Sequence, residues 1–163
     1  MKLRILPVIL LGLGWLPPAL PGRAQEGNPN GGKPQSLPTV TLHVGKATLI
    51  AEVASTGPQR ETGLMYRPKM GDNHGMIFLL PSVDYADFWM KNTLIPLSVA
   101  YIDKNGVILE IHDMKPLDLS NINSKSDQVA YALETNVHWF ALNGIKPGDR
   151  IEPPPSTLGK PAP

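Results

Sequence analysis

Several short segments alternate apolar and polar side chains, which is the pattern of a β-strand with one buried face. The clearest case is a pair of such segments, residues 97–103 and 107–112. Between them, residues 103–106 carry Asp first and Gly fourth, a combination that is typical of a type I turn. This part of the chain therefore predicts a β-hairpin.

Other segments continue the strand pattern. Residues 39–44 and 47–54 predict a second hairpin across Gly45-Lys46. Residues 76–80 form a continuous apolar run that Pro81 is expected to end. Further strands are predicted at 128–134 and 150–152. The fold class expected is mainly β (α+β), a curled antiparallel sheet or a small β-barrel with two short helices.

Two short helices interrupt these strands. Thr56 and Gln59 have the spacing of a capping box, so a helix is predicted over about 58–64, with Gly63 near its end. Asn136 is a suitable cap for a second helix over 136–142, which Gly144 would stop.

The first 24 residues have the features of a Sec-type signal peptide. Lys2 and Arg4 precede an apolar run, and Gly22 and Ala24 place small residues at −3 and −1 of a cleavage site before Gln25. A retained anchor is the alternative, although the run is short for a membrane span. The chain has no Cys, which excludes a lipid-anchored lipoprotein. We expect a periplasmic or extracellular protein with no stable membrane anchor after cleavage.

The remaining chain divides into three parts by composition. Residues 25–38 have too few apolar side chains to form a core and predict a flexible linker. Residues 39–152 have the length of one β-rich domain. Residues 153–163 predict a Pro-rich disordered tail.

Removing residues 1–24 also changes the charge of the protein. The segment contains three of the 15 basic residues and none of the 14 acidic ones, so 12 basic and 14 acidic residues remain, a formal charge of −2. Such a chain lacks the basic surface of a nucleic-acid-binding protein. We therefore expect no nucleic-acid partner, but a small molecule or an envelope protein.

The stretch from Phe88 to Thr93 combines aromatic, thioether, charged and polar side chains in the middle of the chain. A strand there separates two faces, with Tyr85, Asp87, Trp89 and Lys91 on one and Ala86, Phe88, Met90 and Asn92 on the other. An aromatic ring beside charges can stack on a ligand or hold a cation. Alternatively, Trp89 covers the sheet, and Asp87 and Lys91 form a solvated pair of small energetic value.

Two arginines, Arg60 and Arg67, flank the first predicted helix and could grip a carboxylate or phosphate. The alternative is that they tie down a loop. The candidate binding set is therefore Trp89, Lys91, Asp87, Asn92, Arg60 and Arg67. The two interpretations differ in whether the helix encloses Trp89 completely.

The ordered motifs resemble a known family. They are Gly63–Arg67, Gly75-Met76, Phe88–Thr93 with Pro96-Leu97, Asp103 and Gly106, and Gly144–Lys146 with Gly148-Asp149. Together they are similar to domain of unknown function 192 over nearly all of residues 40–152. The resemblance implies a small, mainly β domain, often exported in bacteria, and it implies no reaction.

The sequence contains no recognisable catalytic motif. It has no Cys nucleophile, Gly-x-Ser-x-Gly elbow, phosphate loop or dinucleotide fingerprint. The four histidines lack metal-ligand spacing, so no catalytic residue, metal site or cofactor is predicted. We expect a non-catalytic periplasmic ligand- or partner-binding module. The alternative is a small envelope hydrolase or lyase using strand carboxylates, namely Asp87 or Glu110. Among the strand carboxylates Asp87, Glu110 and Glu134, a pair could act in acid–base catalysis only if one were buried with a raised pKa.

Overall fold

The computed structural model describes residues 31–159. The predicted signal peptide, residues 25–30 of the predicted linker and the last four residues of the tail lie outside this range. No helix within 31–159 is long and apolar enough to cross a membrane.

Seven strands form one sheet with the order β6-β5-β8-β3-β2-β1-β9. Their bounds are β1 Thr39–Val44, β2 Ala47–Ala54, β3 His74–Asp84, β5 Leu97–Ile102, β6 Ile108–Met114, β8 Val129–Asn136 and β9 Ile151–Glu152. Two further strands, β4 Asp87–Phe88 and β7 Ile122–Asn123, pair separately. The helices are α1 Gly57–Thr62 and α2 Trp139–Leu142.

The seven-stranded sheet curls into a half-barrel. The segment before β9 returns to the start of β6, where Val107 pairs with Arg150 and the Ile151 N–H donates to the Gly106 carbonyl. Five of its strand pairs are antiparallel, whereas β2 and β3 run parallel and are connected through α1. The mainly β class with a curled sheet and two short helices is confirmed.

Both faces of the sheet are buried. On β3, Ile77 and Leu79 belong to one core, whereas Met76 and Phe78 belong to the other. Helix α2 contributes to the first core through Trp139 and Phe140. The second core is covered by the chain around α1 and by residues 86–95. This double burial explains why the apolar run in β3 is continuous rather than alternating.

The prediction of a core strand around Phe88 was wrong. Only Asp87–Phe88 is a strand, at the edge of a two-stranded ribbon, and the chain then turns through Asn92 with a φ of 57°. The assignment of faces holds in part, because Ala86 and Met90 are buried and Trp89 is exposed, whereas Phe88 is only half-buried.

The predicted end of β3 and the predicted start of α2 also differ from the structure. Strand β3 continues through Pro81 to Asp84, with an irregular register after Leu79. Asn136 ends β8 and caps no helix, so α2 begins at Trp139 after His138. The capping box of Thr56 and Gln59 is present as predicted.

Residues at both ends of the described chain contact the domain. In the linker, Gln35 Nε2 donates to the carbonyls of Gln59 and Gly63, both at 2.9 Å. In the tail, residues Pro155–Thr157 form a short 3-10 helix in which Pro155 is buried, and Leu158 packs against the first core. Gln35 in the first segment, and Pro155 and Leu158 in the second, pack against the domain. Composition alone does not reveal these contacts.

Candidate functional site

A small recess opens between the end of α1 and the chain that follows β4. It holds about 30 Å³. Residues 60–65 form one wall, and Phe78, Phe88, Trp89 and Thr93 form the rest, with Glu134 reaching it from the sheet. The recess therefore joins the aromatic stretch singled out in the sequence to a buried acid.

Glu134 lies on β8, between Met76 of β3 and Val99 of β5. Its exposure is 4%. Burial raises the pKa of its carboxyl group to about 8, although the charge of Arg67 acts in the opposite direction. Within residues 31–159, no hydrogen bond or ion pair to this carboxyl group is found. The acid is thus mostly protonated at neutral pH and has polar capacity that the protein does not use.

The local sequence explains how an acid is held there. Glu134 shares a face of β8 with Ala132, which belongs to the second core. On β3, a Cβ atom at Gly75 would lie 2.3 Å from the Glu134 carbonyl oxygen, so only glycine allows the two strands to approach this closely.

Trp89 lies at the mouth of the recess with 41% of its surface exposed. The Lys91 Nζ sits 4.9 Å from the centroid of its ring, at cation–π distance. Helix α1 does not enclose Trp89, and a cavity touches it. Lys91 contacts the ring without lining the recess.

The two arginines make structural contacts. Arg67 forms a bidentate pair with Glu52, with Nη1–Oε1 at 2.6 Å and Nη2–Oε2 at 2.9 Å, and also donates to the Gln35 carbonyl. Arg60 borders the recess, and its Nη1 donates to the carbonyls of Ser55 and Leu79.

The other two predicted residues lie apart from the recess. Asp87 is exposed on β4. Asn92 holds the turn, since its carbonyl accepts from the Tyr66 N–H at 2.8 Å. Of the six predicted side chains, the structure therefore brings Trp89 and Arg60 to the recess, places Lys91 against Trp89, and separates Asp87, Asn92 and Arg67.

Glu134 was considered in the sequence only as one of three strand carboxylates. The signal that singles it out is that it lies on the same face of the strand as Ala130 and Ala132, two small apolar residues that are both buried. Glu110, by contrast, lies 2.7 Å from His112 and accepts from backbone N–H groups, and these hydrogen bonds lower its pKa.

A second polar group connects β5, β6 and the start of α2. Asp113 accepts from the Ser98 hydroxyl, lies 2.8 Å from His138 Nδ1, and so bridges the two residues. The Ser98 hydroxyl donates its hydrogen bond to the Asp113 carboxylate and accepts one from the backbone N–H of His138. The imidazole of His138 therefore does not activate Ser98 as a nucleophile. No three His, Cys, Asp or Glu side chains cluster as metal ligands in the described part of the chain.

The profile of the DUF192 family, described as "Uncharacterized ACR", matches residues 40–153. The chain belongs to this family. The family assignment that the motifs suggested is thus confirmed, and the match spans the β domain that contains the recess. No curated protein matches the chain.

Two crystal structures share the DUF192 fold of this chain. One, from Sinorhizobium meliloti 1021, is named as a proposed transcription regulator. It is 35% identical with a TM-score of 0.69, over 74% of this chain and 97% of that one. The other is a protein of unknown function from Novosphingobium aromaticivorans DSM 12444. It is 34% identical with a TM-score of 0.66, over 71% of this chain and 86% of that one.

Proposed function

We propose that this DUF192 domain is an exported, non-catalytic binding module that holds a small molecule, or the end of an envelope protein segment, in the recess beside Trp89. The observation that carries the proposal is the pairing of a half-exposed tryptophan with an unpaired, buried carboxyl group on one recess. Concave sites that combine aromatic walls with a few convergent polar groups are typical of ligand binding.

The size of the recess limits what enters it. A space of about 30 Å³ admits a single small group. The remainder of the ligand then lies outside, against the exposed part of Trp89. Stacking on an indole ring tolerates many ligand shapes, so Trp89 supplies contact area. Glu134 determines which chemical group of the ligand is bound in the recess.

A thermal-shift screen of the protein recovered from the cell envelope tests this proposal. Sugars, cell-wall fragments, organic cations, metals and anions are the ligand classes. A ligand at ten times its Kd stabilises by about 1.4 kcal/mol, so we expect the melting temperature to rise by about 3–8 °C. The shift is expected to disappear in Trp89→Leu.

Tyr85→Leu is the matched control for that variant, because Tyr85 is an exposed aromatic residue of the same segment that does not line the recess. It is expected to keep the ligand-induced shift. The proposal fails if no class of ligand stabilises the protein, or if Trp89→Leu retains every shift.

Export is the second part of the proposal, and the apolar segment with its small residues before Gln25 supports it. We expect the envelope fraction to contain a chain that begins at Gln25, as measured by intact-mass spectrometry. A chain from that fraction that still carries Met1 would contradict cleavage.

Acid–base catalysis is the second candidate, because Glu61 and Glu134 both line the recess and Glu134 can deliver a proton near neutral pH. A hydrolase or lyase would lose turnover but keep substrate affinity in Glu134→Gln. Regulation of transcription, named for the Sinorhizobium protein, finds no support in a chain whose charge without residues 1–24 is −2 (12 basic against 14 acidic residues).

A further inference from the structure

We infer that the group entering the recess is a primary ammonium, bound by the Glu134 carboxylate between the aromatic rings of Phe78, Phe88 and Trp89. This inference rests on the proposed function and specifies its ligand class. It is carried by the chemistry of the acid, the rings and the size of the space.

The first argument is the unused hydrogen-bonding capacity of Glu134. The Glu134 carboxyl group receives no hydrogen bond from residues 31–159 and borders the recess, so a group that enters the recess can supply the donor that a buried acid normally has. An ammonium group has three N–H donors and a full positive charge, so it satisfies a carboxylate better than a neutral donor does.

The second argument is the aromatic lining. Phe78 and Phe88 pack edge to face with ring centroids 5.0 Å apart. The faces of such rings carry negative partial charge and attract cations. Trp89 already accommodates one ammonium group, since Lys91 Nζ lies over its ring. A ligand ammonium in the recess would contact the aromatic rings of Phe78, Phe88 and Trp89 that line it.

The third argument is size. The space of about 30 Å³ matches one water molecule or one –NH₃⁺ group. A quaternary ammonium is bulkier, and its four carbon substituents leave it no N–H to donate to the carboxylate. The ligand is therefore the end of a primary amine, with its carbon chain emerging past Trp89.

The neighbouring charges permit this occupant. Arg67 acts on Glu134 through space, but its guanidinium is neutralised by Glu52. Arg60 lines the recess while its Nη1 is bound to two carbonyls. Glu61 adds a carboxylate to the wall of the recess. The Tyr101 hydroxyl donates to the Ile122 carbonyl.

Binding is then coupled to proton release. Burial keeps Glu134 protonated at pH 7, and an arriving ammonium takes the place of that proton. Up to one proton leaves the recess for each amine bound. A ligand that merely packs on Trp89 releases none.

The test is calorimetric titration at pH 7 with n-butylammonium chloride, at constant ionic strength and in two buffers of different ionisation enthalpy. We expect saturable binding with release of close to one proton. Glu134→Gln, which is isosteric with the protonated acid and is expected to fold, should weaken binding at least tenfold and abolish proton release. Glu152→Gln, an exposed glutamate on β9, is the matched control and should change neither.

Two further ligands separate charge from size. n-Butanol has the same chain without the charge, and tetramethylammonium has the charge in a larger group, so neither is expected to bind. The inference is overturned if n-butanol binds equally well, or if Glu134→Gln binds the amine like wild type. If other ligands give Trp89-dependent shifts while the amine does not bind, this inference fails and the proposed function stands.

Discussion

Wild-type protein is expected to lose about 1.4 kcal/mol of unfolding free energy for each pH unit between pH 5 and pH 8, a total of about 4 kcal/mol from Glu134 alone. Burial raises the pKa of Glu134 from 4.5 to about 8. Above pH 5 the unfolded chain has released this proton while the folded protein still holds it, so stability falls as pH rises. The loss levels off above pH 8, where both states are ionised.

Glu134→Gln removes this titration. We expect the unfolding free energy of this variant, measured by urea denaturation at pH 5, 6.5 and 8, to vary much less over that range than that of wild type. At pH 8 the variant should be the more stable protein, because it buries no carboxylate. Parallel pH profiles for the two proteins would contradict the assignment.

Glu110→Gln is the control of opposite sign. Burial acts to raise the pKa of Glu110, but hydrogen bonds from His112 and two backbone N–H groups outweigh it and lower the pKa. The contribution of Glu110 is therefore present above pH 4.5 and is lost as pH falls through the lowered value. The Glu110→Gln variant should therefore be destabilised at pH 7 and approach wild type in acid.

Arg67→Ala is expected to destabilise the domain by about 3–5 kcal/mol, as does removal of one partner of a buried ion pair. The side chains of Arg67 and Glu52 are each only 15% exposed, and their bidentate pair connects β2 to the loop after α1. Without Arg67, the Glu52 carboxylate remains buried with its main partner missing. Urea denaturation at pH 7 measures the loss.

Two variants make this result interpretable. Arg150→Ala removes an arginine that is exposed, and we expect a loss of about 1 kcal/mol or less. The double variant Arg67→Met with Glu52→Met removes both charges and should recover much of the loss of Arg67→Ala. Equal losses for Arg67→Ala and Arg150→Ala would show that the ion pair is not structural.

Local patterns account for the parts of the fold that were predicted correctly. The turn at 103–106, the capping box at Thr56 and the hairpin of β1 and β2 each depend on residues close in sequence. Such short-range chemistry can be identified without knowledge of the tertiary structure.

The errors involve partners distant in sequence. Phe88 lies in a ribbon whose other strand is Ile122–Asn123, a segment for which no strand was predicted. Strand β3 tolerates Pro81 because its pairing with β8 is interrupted after Leu79. The Asn136 side-chain amide donates a hydrogen bond to the carbonyl of Gly71, 65 residues away, and therefore caps no helix.

The candidate site was predicted in part. The exposed face of Trp89 follows from local alternation, which survives although the strand is short. Arg67 and Glu52 are 15 residues apart, and their pairing depends on the parallel arrangement of β2 and β3. The alternation of Glu134 with Ala130 and Ala132 indicates a buried face, but the groups that surround its carboxyl come from tertiary packing, so the size of its pKa shift could not be predicted from the sequence.

The hydrogen bonds of Gln35 have a practical consequence for any recombinant form of the domain. The sequence pattern places the domain boundary at Thr39, yet Gln35 holds the carbonyls of Gln59 and Gly63, at the end of α1. Gly63 is itself part of the recess wall. A protein cut at Thr39 would retain every strand, but it would lose these hydrogen bonds to the recess wall and the contact of the Gln35 carbonyl with Arg67. Binding experiments on such a truncated protein would report on a loosened site.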